Sequence, residues 1–242
     1  MAERRSRRLR DRLLASRATP RKPSAAAHEQ ILVIGLGRFG SALACELEEL
    51  GFEVLGVDVD ERRVQEHADR LTHVVQASTT DSAVLAQLGA ADFDSAVVGI
   101  GTDVEASILT TAALDDLGVA NIWAKAVTRP HGRILGRIGA HHVVFPEHDM
   151  GQRVAHLVTG RVLDWFQLDE SFAMVETEAP AELVARSLAE AEVRARYGVT
   201  VVCVKPSGQG FTYATPDTML AEGDILVVAG PTRNAEAFAR LA

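Results

Sequence analysis

Ile31-Leu32-Val33-Ile34-Gly35-Leu36-Gly37-Arg38-Phe39-Gly40 is the stretch whose reading decides the fold. Four aliphatic residues, mostly β-branched, suit a strand buried on both faces. The glycines that follow stand at the spacing of a dinucleotide-binding turn. Gly35 permits the tight turn, Gly37 lets the backbone approach a diphosphate, and Gly40 lets the next helix pack against the sheet. That helix is predicted over 39–50, with Phe39, Leu43, Leu47 and Leu50 on one stripe and Gly51 as its stop. Its free N–H groups and positive dipole end would face the phosphates.

The residues downstream agree with this reading. A second strand, Glu53-Val54-Leu55-Gly56-Val57, leads to Asp58, 23 residues beyond Gly35 and followed by Val59. An acid at about this distance accepts hydrogen bonds from the ribose hydroxyls and repels a 2′-phosphate, which disfavours NADP. Further strands are predicted over 72–77, 95–100, 121–125 and 142–145, with helices over 80–88, 103–117 and 129–138 between them. Six strands alternating with helices predict an α/β fold with a doubly wound parallel, Rossmann-type sheet, and its ligand belongs beyond the carboxyl ends of the strands. Those ends supply Ser78 and Thr79 to bracket an adenine, Gly99-Ile100-Gly101 where backbone approaches the ligand, Lys125 as a cation in need of an anion, and Glu147 as a carboxylate able to meet a divalent ion.

The pattern changes after this. A connecting helix is predicted from Met150 to Thr159 with Gly160 closing it, then a small α+β unit with strands over 172–176, 200–204, 211–213 and 225–229 and helices over 181–189 and 234–241. The domain reading is a basic arm over 1–29, a nucleotide-binding domain over 30–148, the connecting helix over 149–160 and a C-terminal domain over 161–242.

Composition bounds the function. The 242 residues are 47% hydrophobic and carry a net charge of −8, which argues against nucleic acid as a partner. Cys45 and Cys203 offer no disulfide or zinc spacing and fit a reducing compartment. No apolar run reaches the ~18 residues of a membrane span, so a membrane role would go through a partner.

Residues 31–242 resemble the regulatory subunits of Ktr/Trk-type potassium uptake systems, the RCK proteins. The resemblance rests on the glycine turn and on Asn121-Ile122-Trp123-Ala124-Lys125-Ala126, Phe145-Pro146-Glu147-His148-Asp149-Met150-Gly151 and Val193-Arg194-Ala195-Arg196-Tyr197-Gly198. It implies an N-terminal lobe that binds ATP, ADP or NAD(H), and dimers assembled into a ring of eight. It places that ring on the cytoplasmic face of a potassium-translocating membrane subunit. Carried onto this sequence, it makes Arg38 the arginine that reaches a terminal phosphate across the dimer, Asp58 the ribose acceptor, Lys125 a phosphate ligand and Glu147 the holder of Mg²⁺ or another divalent cation. In some members a cyclic dinucleotide occupies the C-terminal lobe, where Arg194 matches an arginine of that region.

Two other classes compete with a ligand-gated regulator. An NAD-dependent oxidoreductase would need an acid or base beside a nicotinamide, and no redox catalytic set stands out among His73, His141, His142 and His148. A plain interaction module would have lost nucleotide binding. The first 30 residues hold nine Arg and Lys against three acids, a composition that suits a solvated tail, a transit segment or contact with anionic lipid at about 1 kcal/mol per basic residue. On the lipid reading, deleting residues 1–28 weakens binding to anionic vesicles at low salt; unchanged sedimentation with the vesicles would dispose of it.

Overall fold

The structure is a computed structural model and describes residues 29–158, 162–169 and 171–242. The arm over 1–28 and the predicted helix stop Gly160 lie outside the described residues. The chain forms two compact units, the first ending at Val144 and the second beginning at Phe145.

In the first unit strands and helices alternate as β1 (Gln30–Ile34), α1 (Arg38–Glu49), β2 (Glu53–Asp58), α2 (Glu61–His67), β3 (His73–Gln76), α3 (Ser82–Gln87), β4 (Ser95–Val98), α4 (Val104–Asp116), β5 (Ile122–Lys125), α5 (Arg129–Arg137) and β6 (His142–Val144). The sheet has the order β3-β2-β1-β4-β5-β6, and every pairing in it is parallel. The order reverses between β1 and β4, which opens a crevice at their carboxyl ends. Leu32, Val33 and Ile34 are fully buried. On one face Val33, Val54 and Val97 pack under Phe39, Leu43 and Leu47 of α1. Leu50, predicted on that stripe, is instead 64% exposed, because the helix ends at Glu49 and Gly51 turns the chain with φ of 91°.

Helix starts in this unit follow one rule. Asp60, Asp81, Asp103 and Thr128 accept a hydrogen bond from a first-turn amide of α2, α3, α4 and α5 respectively. The start of α1 breaks that rule: Gly37 precedes it without a side-chain cap, and its first turn holds no acid. The seven-residue α2 is absent from the sequence reading, since its buried face is confined to His67.

The second unit opens with α6 (Pro146–Leu157) and continues through β7 (Asp164–Gln167), β8 (Phe172–Glu178), α7 (Leu188–Ala191), α8 (Val193–Tyr197), β9 (Thr200–Lys205), β10 (Thr212–Tyr213), β11 (Ile225–Pro231) and α9 (Thr232–Ala239). Its antiparallel sheet runs β10-β9-β11-β8-β7. Val175, Leu226, Val228 and Phe238 are buried in its core.

Two expectations are corrected here, and one strand is added. α6 begins four residues before Met150, since Pro146 suits a first helical position and Glu147 and Asp149 complement its positive end. The single helix predicted over 181–189 is a 3₁₀ turn at Ala181–Leu183, a left-handed Ala185 and a new start at Ser187. Ser187 and Glu190 there form a reciprocal capping box, which fixes a helix start. β7 was not predicted; it pairs along β8 from Asp164↔Glu176 to Gln167↔Ala173.

Arg153 clamps the start of β7, donating from Nε to Asp164 Oδ1 at 2.9 Å and from Nη2 to Oδ2 at 2.6 Å. That pair, with the Trp165 amide, holds the Asp164 carboxyl below its ordinary 3.8. A depressed carboxylate contributes stability above its unfolded pKa and loses it as pH falls through the folded one. The stability gap between the native chain and Arg153→Ala is therefore expected to be widest above about pH 4 and to close in more acid solution. Urea unfolding across that range checks it, and a gap independent of pH would refute the clamp.

Candidate functional site: a glycine cradle at the switch point

The loop from β1 to α1 is built by glycines in contact with one another. Gly35 turns the chain with φ of 91° and donates its amide to the Val57 carbonyl at 2.7 Å. A Cβ on Gly40 would overlap the Gly35 carbonyl oxygen, and one on Gly99 would lie 3.0 Å from that same oxygen and 3.4 Å from Gly40 Cα. These contacts bring the start of α1 against the ends of β1 and β4. Gly37 meets nothing within 4 Å of its Cβ position, so backbone is open to a ligand there.

Asp58 does more than the sequence suggests. Its side chain is almost fully buried, and it accepts from the Leu36 amide at 2.7 Å, from the Asp60 amide at 2.9 Å and from Arg63 Nη1 at 3.3 Å. The carboxylate thus ties the glycine loop to the end of β2. Val59 beside it is 65% exposed, and its carbonyl accepts from Gln76.

A cation stands at the other side of the loop. Lys125, buried at the end of β5, sends its Nζ to within 3.1 Å of the Gly101 Cβ position and 5.8 Å of the Phe39 ring centroid. A side chain at residue 101 would press on the amine, so Gly101 and Lys125 are matched. Ile100 lies over Gly35, its backbone N 3.1 Å from the Cβ position there. Arg38 is exposed and makes no ion pair among the described residues. A cation at the positive end of an uncapped helix is unfavourable without an anion.

The structure brings Gly35, Gly37, Arg38, Phe39, Gly40, Asp58, Gly99, Ile100, Gly101 and Lys125 to one switch point. The proposed adenine residues divide: Ser78 is exposed and hydrogen-bonds Thr80 at 3.1 Å, while Thr79 is buried and bonds Thr110 of α4 at 2.9 Å. Glu147 stands in the second unit, in the first turn of α6. Among the described residues no three His, Cys, Asp or Glu side chains group to hold a metal.

Two buried histidines were missed by the sequence reading. His67 bonds Ser41 of α1, and His131 of α5 accepts from the Val127 amide at 3.4 Å. Burial lowers the pKa of His131, which keeps it neutral. Neither falls in a motif, so no local signal marks it.

A two-lobed chain with this cradle in its first lobe is of the TrkA type. The TrkA-N domain family matches residues 31–146 and the TrkA-C domain family residues 172–242. The chain belongs to this family, and relatives similar to it include Ktr system potassium uptake proteins. It is 39% identical over 211 residues to Ktr system potassium uptake protein C of Bacillus subtilis, covering 87% of this chain and 96% of that protein. It is 38% identical over 204 residues to Ktr system potassium uptake protein A of Vibrio alginolyticus, covering 84% and 93%. Among solved structures the GsuK RCK domain shares the fold, with a TM-score of 0.62 at 21% identity over 95% of this chain and 51% of that one. The GsuK channel bound to NAD gives the same TM-score at 22% identity, over 96% and 42%.

Removing a carboxylate that serves only a ligand would leave the free protein unchanged. Because Asp58 also holds the Leu36 amide and Arg63, Asp58→Ala is expected to lose about 2 kcal/mol of stability with no ligand present. Equal urea midpoints for the two proteins would restrict Asp58 to ligand contact.

Proposed function

We propose that this chain is a cytosolic regulatory subunit of a potassium uptake system whose N-terminal unit senses an adenine nucleotide. The observation that carries the reading is the start of α1, uncapped and without an acid, opened by Gly37 and bearing the exposed Arg38. Amide groups and a helix dipole at that terminus, with a guanidinium carried by its first residue, fit a diphosphate or triphosphate. Asp58 at the end of β2 suits a ribose without a 2′-phosphate. The Ktr names of its relatives support the potassium link, and the NAD held by GsuK agrees with a dinucleotide or ATP/ADP as ligand.

In this reading Arg38 would meet a terminal phosphate of the nucleotide, and Glu147, in the first turn of α6, is the carboxylate that would hold a divalent cation. The chain works as a homo-oligomer, a dimer building toward a ring of eight. In support, α6 has no buried residue, and Met150, Val154 and the C-cap Val158 are exposed at a spacing of four residues. The Ktr names of its relatives support a separate translocating membrane subunit as its partner, and among the described residues no helix is long and apolar enough to cross a membrane. A cyclic dinucleotide in the C-terminal unit would meet the region of Arg194, whose Nε donates to Thr200 Oγ1 at 3.0 Å. Ligands shift the assembly only through their different affinities for its states, about 1–3 kcal/mol per site.

Calorimetry of the full chain with ATP, ADP, NAD and NADH, with and without Mg²⁺, tests the proposal. Binding of at least one is expected, and Arg38→Ala should weaken ATP about tenfold and ADP less. No heat with any of the four would overturn the reading.

A further inference from the structure

The two ends of the cradle are joined by hydrogen bonds that run through α2. The Leu36 amide in the glycine loop donates to Asp58, and Arg63 donates to the same carboxylate oxygen. The Arg63 carbonyl lies 2.7 Å from His67 Nδ1, and His67 Nε2 lies 2.6 Å from Ser41 Oγ in the first turn of α1. His67 is buried at 5% exposure. A carbonyl only accepts, so Nδ1 carries the hydrogen. The neutral ring then has its lone pair on Nε2, and the Ser41 hydroxyl donates to it.

A proton taken from solvent onto Nε2 reverses this last bond. Nε2–H becomes the donor, Ser41 Oγ the acceptor, and the Ser41 hydroxyl, keeping its hydrogen, turns it toward another acceptor. At the same time a positive charge arises directly behind the first turn of the phosphate-facing helix, where low polarity strengthens its field. Both changes favour an anion at the cradle.

Among the described residues, the side chains of the ionisable groups on the surrounding elements do not bond the imidazole. Asp58 of β2 and Arg63 of α2 engage each other, and Glu66 pairs with Arg62. Glu48 of α1 is taken by Thr72, and Arg38 at the head of α1 is exposed. Arg70, after α2, and His73 of β3 do not bond the imidazole, whose nitrogens meet Ser41 and the Arg63 carbonyl. Histidine is the side chain that ordinarily changes charge between pH 5 and 8.

We propose that His67 is a positioning residue for the phosphate end of the nucleotide site, and that its protonation makes ligand affinity depend on pH. The inference rests on the nucleotide-binding reading above. Nucleotide binding takes up a proton, and acidification tightens binding, so the subunit reports nucleotide and cytosolic acidity together.

The test titrates the full chain with NAD, whose diphosphate has no group ionising near neutrality, and with ADP. Calorimetry runs from about pH 6 to about pH 8 in two buffers of different ionisation enthalpy. The expected result is about fivefold tighter binding at the acid end with net proton uptake, a profile that His67→Gln flattens without abolishing binding. Should His67→Gln fail to fold, nitrogen-15 signals of the wild-type imidazole decide the matter, moving from the Nδ1–H form to imidazolium on addition of nucleotide. Affinity without pH dependence, uptake unchanged in His67→Gln, or an imidazole that stays neutral with ligand bound overturns the inference and leaves the nucleotide site standing. Absence of binding by either nucleotide at every pH removes the site itself, and this inference with it.

Discussion

The close approach of Gly35, Gly40 and Gly99 is the constraint on which the first unit depends. With no Cβ on any of them, the turn after β1 closes tightly enough to seat the head of α1 over the ends of β1 and β4. A methyl group on Gly40 would collide with the Gly35 carbonyl, and the helix would have to lift from the sheet. Everything proposed for the site follows from that seating, because it aims the uncapped amides of α1 at the crevice where the strand order reverses.

Electrostatics explains why the cradle stands out on an acidic chain. The protein carries a net charge of −8, and four other helices of the first unit satisfy their starts with Asp or Thr. At α1 the pattern inverts: glycine replaces the cap, arginine occupies the first helical position, and Lys125 is buried close by beneath Phe39. An uncapped start with a cation on its first residue is unfavourable in an empty helix terminus and favourable beside phosphate. The same region is held from below by Asp58, so the carboxylate suited to a ribose also fixes the loop that would hold the pyrophosphate.

The second unit contributes differently. Its sheet closes a core around Trp165, Leu226 and Phe238, and the Arg153–Asp164 pair anchors α6 to the edge strand β7. His156, from the last turn of α6, stacks on Trp165 at 4.1 Å between ring centroids. One side of α6 is thus engaged while Met150, Val154 and Val158 remain exposed. An amphipathic helix with an uncovered apolar stripe is suited to meeting a partner surface.

The sequence by itself determined the strand and helix alternation, the glycine turn and the position of Asp58, because these depend on local backbone demands and on apolar periodicity along one segment. Membership of the potassium uptake family was legible for the same reason, in motifs contiguous along the chain. Only the tertiary structure decided where side chains turn. Thr79 faces Thr110 rather than an open crevice, Asp58 reaches back to Leu36, and His67 finds Ser41 across 26 residues. The broken helix after Ala181 and the edge strand β7 were likewise hidden, since a left-handed Ala185 and the pairing with β8 are imposed by neighbours elsewhere in the chain. Local propensity is written residue by residue, whereas a buried polar group takes whichever partner the packed fold brings within hydrogen-bonding distance.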